Sequence, residues 1–188
     1  MKNKRILFSY KLLASTLSEM GFSWKGLRNN KNGEWWLIAQ ITVISAHLAD
    51  SWPYDLNNEL YSWLVVIRVF GKLLVLFGTI LALGSVLRLG KNLSPLPEPK
   101  RNAKLVMNGI YSICRHPLYM SMILISIGLN LIKLSLLHLI LLISLCFILT
   151  GKAIKEEHRL KGRYPEYSNY MKETPAIFDN IPFFDWRD

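Results

Sequence analysis

The sequence predicts an all-α membrane protein with about four transmembrane helices. Three observations lead there. Of the 188 residues, 51% are hydrophobic and only 19% are charged. The apolar residues come in long blocks, not in the short alternation of half-buried strands. The basic residues behind the net charge of +10 sit in segments flanking those blocks, where the positive-inside rule puts them on the cytoplasmic face. Attraction to anionic lipid headgroups accounts for that charge, so membrane lipids are the expected partners and nucleic acid is not. Two cysteines, Cys114 and Cys146, and no CxxC, HExxH or Cys/His cluster point to neither a disulfide framework nor a metal site.

Residues 1–34 read as a cytoplasmic amphipathic segment. Ile6, Tyr10, Leu13, Leu17 and Met20 recur at helical spacing beside Lys2, Lys4, Arg5 and Lys11, which suits a helix lying on the inner leaflet. A signal peptide is not expected, because Lys11 interrupts the apolar run and no small-residue cleavage site follows.

Residues 35–87 supply the first two spans. Span one runs from about Trp35 to Ala49, with Trp35 and Trp36 at one end and Trp52 and Tyr54 at the other, as interfacial aromatic belts require. Span two covers roughly Leu64 to Leu87; its Arg68 and Lys72, four apart on one face, could line a pathway but read first as lying near the outer end, where long cationic side chains snorkel. The loop between them holds Asp50, Asp55 and Glu59 without a lysine or arginine, whereas Arg88–Pro117 carries six basic residues and one acid. The bias sets the termini and the second loop inside, in what reads as a bacterial inner-membrane protein.

Residues 88–188 form the third unit. Leu118–Leu149 is almost wholly apolar and would span about 48 Å as one helix, against a hydrocarbon core of roughly 30 Å. Asn130, Lys133 and Ser135 mark a turn, so the stretch reads as a tight hairpin, Leu118–Ile132 and Leu134–Thr150. The segment after Gly151 is cytoplasmic.

The candidate chemistry lies at the open end of this hairpin. In Arg115-His116-Pro117 the proline suits a first helical turn, which puts His116 at the cap and Arg115 just outside. A helix start presents free N–H groups to an anion. Taken alone, the tripeptide reads first as a positive-inside arginine with a capping histidine. Glu156 and Glu157 follow span four by about one and a half turns, and Lys152 lies four residues before Glu156, a spacing that allows them to pair. Taken alone, these read as a solvated helix end. The hairpin brings both groups to one membrane face beside an apolar interior. A polar cofactor and a greasy acceptor could meet there.

The order LVMNGIY, RHPLY, apolar hairpin, EEHRL and YPEYSNY, preceded by Asn92-Leu93-Ser94-Pro95, resembles the isoprenylcysteine carboxyl methyltransferases and the related bacterial phospholipid N-methyltransferases. It covers nearly half the chain. The resemblance implies a membrane methyltransferase that uses S-adenosyl-L-methionine and has no Rossmann domain. The sequence likewise lacks a strand followed by GxGxxG. On matching positions it implicates Lys104, Leu105, Val106, Tyr111, His116, Pro117, Leu118, Tyr119 and Glu157 in cofactor binding, with Arg115, Glu156 and Lys152 as the catalytic group. Lys152 stands where the carboxyl methyltransferases have an arginine, and an ammonium does not replace a bidentate guanidinium. That points away from a prenylcysteine carboxylate and toward a lipidic or other hydrophobic acceptor presenting a carboxylate, amine or thiol. The rival readings are an NADPH-dependent enzyme of the sterol-reductase type, which the chain length disfavours, and a non-catalytic membrane adaptor.

Overall fold

The computed structural model describes residues 24–53, 62–100 and 102–187, and the described residues form helices and no strand. The amphipathic helix expected around Ile6–Met20 lies outside them. The described helices are α1 (Trp24–Asn29), α2 (Glu34–Ala46), α3 (Ser62–Leu89), α4 (Pro117–Lys133), α5 (Leu136–Arg163) and α6 (Tyr167–Glu173), with short 3₁₀ turns at Gly90–Asn92 and Gly109–Ser112.

The chain is an all-α membrane protein, and its apolar helices are unequal. Two are long and apolar enough to cross a bilayer, Trp63–Asn92 and Leu136–Arg163, while Pro117–Lys133 is shorter. Helix α2 has 13 residues and reaches only about 20 Å. It ends at Ala46, because the residues after it close a turn in which His47, Leu48 and Ala49 donate to carbonyls three residues back. Along α3 the apolar residues Val66, Leu73, Ile80 and Leu87, seven apart, are all exposed. In water such a stripe would be a liability; against lipid tails it is the ordinary surface of a spanning helix.

Helices α3 and α4 pack closely because small residues meet between them. A Cβ on Gly128 would lie 2.6 Å from the carbonyl oxygen of Gly71, and one on Gly78 would lie 2.7 Å from Ile125 Cγ1. Lipid offers no hydrophobic drive to bring helices together, so close backbone approach through small residues does that work.

The α4–α5 hairpin turns where the sequence suggested. Leu134 takes a left-handed conformation and donates its N–H to Asn130 O at 2.7 Å. Ser135 follows in extended backbone, and its hydroxyl both accepts from Trp52 N (2.9 Å) and donates to Trp52 O (3.0 Å). Helix α5 then runs unbroken past Thr150 to Arg163. The core lies between the hairpin and the C-terminal segment, where Tyr119, Ile123, Leu145, Leu149, Ala153, Ala176 and Ile177 are buried together.

Substituting Gly128→Val should cost about 1–3 kcal/mol by overpacking the α3–α4 contact. A Cβ on Gly162 meets nothing, so Gly162→Ala should instead stabilise, by up to about 1 kcal/mol. Denaturant unfolding in mixed micelles measures both, and equal effects of the two substitutions would contradict the packing described.

Candidate functional site

Pro117 is the first residue of α4 and His116 its cap, without a side-chain capping bond. The turn is held instead by the C-terminal segment. Arg115 N donates to Pro175 O and His116 N to Ala176 O, each at 2.9 Å. Behind them lies a buried ionic knot. Glu157 accepts from Arg115 Nε at 2.7 Å, from Arg115 Nη2 at 3.3 Å, from His116 Nε2 at 3.0 Å, and from the Trp186 indole N–H. Arg115 Nη1 donates to the carbonyls of Met171 and Thr174. The knot joins the α4 start, α5, the end of α6 and the chain terminus. Burying two charges is tolerable only because nearly every donor and lone pair has a partner.

In front of the knot opens a cavity of about 310 Å³. Its polar wall is made by α4 and α5. Tyr119 donates its hydroxyl to Glu156 Oε2 at 2.8 Å and stacks on His116, with ring centroids 5.1 Å apart. His116 Nδ1 is 3.9 Å from the same Glu156 oxygen. Lys152 is buried with its ammonium 5.4 Å from the Tyr119 ring centroid. It donates to Gln40 Oε1 at 2.6 Å and Pro95 O at 2.8 Å. The pairing of Lys152 with Glu156 that their spacing allowed is therefore not a direct contact; the ammonium is turned away to α2 and the loop after α3.

That loop forms the facing wall. Lys104 N donates to Asn92 Oδ1 at 2.8 Å, and the Tyr164 hydroxyl donates to Ala103 O. Gly109 sits at φ +66° against the Arg88 side chain, a conformation that glycine adopts freely; Arg88 in turn donates to Asn108 Oδ1. Tyr111, Tyr167 and Tyr170 also line the cavity. Burial, the largest cause, raises all three phenols above their ordinary range, so they act as neutral hydroxyls. Burial also pushes the Cys114 thiol up to about 12, which leaves it without nucleophilic character near neutrality.

Of the residues singled out in the sequence, Lys104, Leu105, Val106, Tyr111, Arg115, His116, Leu118, Tyr119, Lys152 and Glu156 line this one cavity. Pro117 and Glu157 stand behind the wall, Pro117 starting the helix and Glu157 in the knot. The sequence reading missed Gln40, whose only signal was a lone amide inside an apolar run. It quoted Tyr164, Tyr167 and Tyr170 within YPEYSNY but gave them no role at the site, where all three line the cavity.

Fold and site together define a helical membrane protein that closes a polar, aromatic-walled cavity at one end of a short hairpin. A family model described as phospholipid methyltransferase matches residues 66–166. The chain belongs to that family. It is also 34% identical over 87 residues to the nickel-cobalt-cadmium resistance protein NccN of Alcaligenes xylosoxydans xylosoxydans and to the cobalt-zinc-cadmium resistance protein CzcN of Cupriavidus metallidurans. The match covers 45% of this chain and 40% of the length of each relative.

Breaking the knot from one side, as in Arg115→Met or Glu157→Gln, should cost about 3–5 kcal/mol, because a charge or its donors are left buried without a partner. The double variant Arg115→Met/Glu157→Gln should lose clearly less than the sum of the two single losses. Unfolding measurements on the three proteins decide this, and simple additivity would show that the two side chains do not act as a pair.

Proposed function

We propose that the protein transfers a methyl group from S-adenosyl-L-methionine to a hydrophobic acceptor drawn from the membrane, with an amine-bearing lipid as the acceptor the site suits best. One observation carries this reading. The cavity sets the Glu156 carboxylate and the Tyr119 hydroxyl beside an apolar wall of Leu37, Leu89, Leu93, Leu118 and Met122. A charged headgroup and a greasy body can be held there at once.

The residues present fit the cofactor. The cavity volume falls in the range of small-molecule sites, roughly 300–1,000 Å³. Tyr111 and Tyr119 offer ring faces to an adenosyl group, Leu105, Val106 and Leu118 offer apolar contact, and Lys104 is an exposed cation at the wall for a carboxylate. When bound, the cofactor supplies a methyl group already activated by a sulfonium, so that one bond to carbon forms as the carbon–sulfur bond breaks. The protein's part is orientation and exclusion of water, which can supply about 7–11 kcal/mol.

In this proposal Glu156 orients an amine acceptor and takes the proton that its nitrogen must lose. Tyr119 holds the carboxylate in place, and Lys152, one turn earlier on the same helix as Glu156, sets a positive charge at the same wall, 5.4 Å from the Tyr119 ring centroid. Arg115 and Glu157 act as positioning residues: their guanidinium and carboxylate are spent on each other, and they fix the His116–Pro117 turn against which Tyr119 and Glu156 are set. The basic residues Arg88, Lys91, Lys100, Lys104 and Lys161 gather at the cavity end of the molecule, while Asp50 lies toward the hairpin turn. By the positive-inside rule this bias supports a cavity that faces the cytoplasm, and a bacterial inner membrane is the location we propose.

The test is incubation of the purified protein with membrane lipid extract and isotopically labelled methyl donor, read by mass spectrometry, beside direct binding of S-adenosyl-L-methionine and of NADPH. Labelled lipid with retained methyl donor supports the proposal. Retention of NADPH instead would favour the reductase reading, and retention of neither the adaptor. Glu156→Gln should slow methyl transfer by about 10²–10⁴-fold while the affinity for the methyl donor stays within a few-fold. Undiminished turnover by that variant would remove Glu156 from the chemistry.

A further inference from the structure

Lys152 and Glu156 lie four residues apart on α5, the spacing at which helical ion pairs form, yet the ammonium bonds elsewhere. Its acceptors are Pro95 O and the side chain of Gln40, a residue of α2 that is itself buried. An ammonium can only donate, so the Gln40 amide must turn its oxygen toward Lys152. Its NH₂ then faces Met122 Sδ, 3.2 Å away on α4. Both ends of the amide are used, and the amide has one orientation.

Helix α2 is itself fixed in place. The Trp36 ring lies against Gly151, where an added Cβ would come within 2.4 Å of it. Arg159 Nη2 donates to Lys31 O at 2.8 Å and pairs with Glu98. The amide is thus presented by a docked helix directly beside Lys152. Residue 40 also precedes the family match, which begins at residue 66.

We propose that Gln40 is a positioning residue that keeps Lys152 off Glu156 and so leaves the Glu156 carboxylate available to the acceptor. The proposal rests on the methyl-transfer reading above. Without the amide oxygen, the buried ammonium keeps one carbonyl partner, and the nearest strong acceptor on its own helix face is Glu156. Closure of that pair would neutralise the carboxylate and block its side of the cavity. The walls assigned to the methyl donor, Lys104–Val106, Tyr111 and Tyr119, do not touch Gln40 through any hydrogen bond the structure shows among them.

The experiment uses the full-length protein in three forms: wild type, Gln40→Leu, and Gln40→Glu, which keeps an acceptor for the ammonium. A structure of Gln40→Leu should show Lys152 Nζ moved to Glu156. Its kcat should fall about tenfold or more, with the dissociation constant for S-adenosyl-L-methionine unchanged within about twofold, and Gln40→Glu should restore most of the rate. Three results would each overturn the proposal: an ammonium that stays on Pro95 O in Gln40→Leu, undiminished kcat in that variant, or a parallel loss of methyl-donor affinity, which marks mere undocking of α2. Absence of methyl transfer by the wild type would instead sink the earlier reading, and the Gln40→Leu structure would still decide where Lys152 goes.

Discussion

The organisation of this molecule depends on one buried ion pair, Arg115 with Glu157. The hairpin made by α4 and α5 is joined at its far end by the turn at Leu134, but at the cavity end nothing covalent holds the helices in register. The ion pair does so. It fastens the second residue before α4 to a point nearly six turns along α5, and the same guanidinium reaches the carbonyls that end α6. The strap that follows α6 then pairs with Arg115 and His116 through its backbone and returns Trp186 to the same carboxylate. A buried pair of this kind adds little net stability compared with an apolar replacement of equal volume. Its value is geometric, because its donors and acceptors come from four chain segments that must meet at one point.

The spanning part of the molecule obeys a different constraint. With lipid as solvent, α3 gains nothing from hiding leucines and instead exposes them, and it meets α4 through Gly71, Gly78, Gly128 and Ser121. Several polar side chains in the spanning helices have a partner, although among the described residues His138 Nδ1 and Thr150 Oγ1 are buried without one. His47 sits between Val43 O (2.8 Å) and Ser126 Oγ (2.6 Å), and Ser85 and Ser144 each donate back to a carbonyl one turn earlier. The cavity is where polar and apolar surfaces are allowed to meet without cancelling, which is the condition a reaction between a charged donor and a greasy acceptor requires.

Much of this was legible in the chain. Block hydropathy gave the helices, because lipid demands continuous apolar runs, and the length of Leu118–Leu149 against the bilayer thickness forced a hairpin. The helical rise then carried Glu156 and Glu157 to the level of Arg115. Proline after His116 gave the helix start to the residue. What could not be read is which partner each charge would choose. Local spacing allowed Lys152 to pair with Glu156, yet its acceptors come from residues 40 and 95, and nothing local in sequence encodes such contacts. The strap was equally hidden. Pro175, Ala176 and Trp186 sit in a short segment without periodicity, and its role appears only when its carbonyls meet the N–H groups of Arg115 and His116. Helix α2 was placed but overextended, since the run of apolar residues continues past the turn that ends it.

Glu156 and Glu157 make the final point about how position decides chemistry. The two carboxylates are adjacent in sequence, and a step of one residue on a helix turns the side chain by about 100°. That rotation separates two environments. Glu157 faces inward, where an arginine, a histidine and an indole saturate it, and it holds the frame. Glu156 faces the cavity, where it accepts one phenolic hydroxyl and keeps acceptor capacity toward the open space. Exchanging their roles would require rotating α5 as a whole, which the Trp36–Gly151 contact and the knot both resist. The same rotation sets Lys152, one turn earlier, on the cavity side with Glu156 and not on the knot side with Glu157. In the proposed reading the charge pattern of a single helix turn sorts itself into a structural group and a reactive group, and the restraint on Lys152 from another helix keeps the reactive group from collapsing into a second structural pair.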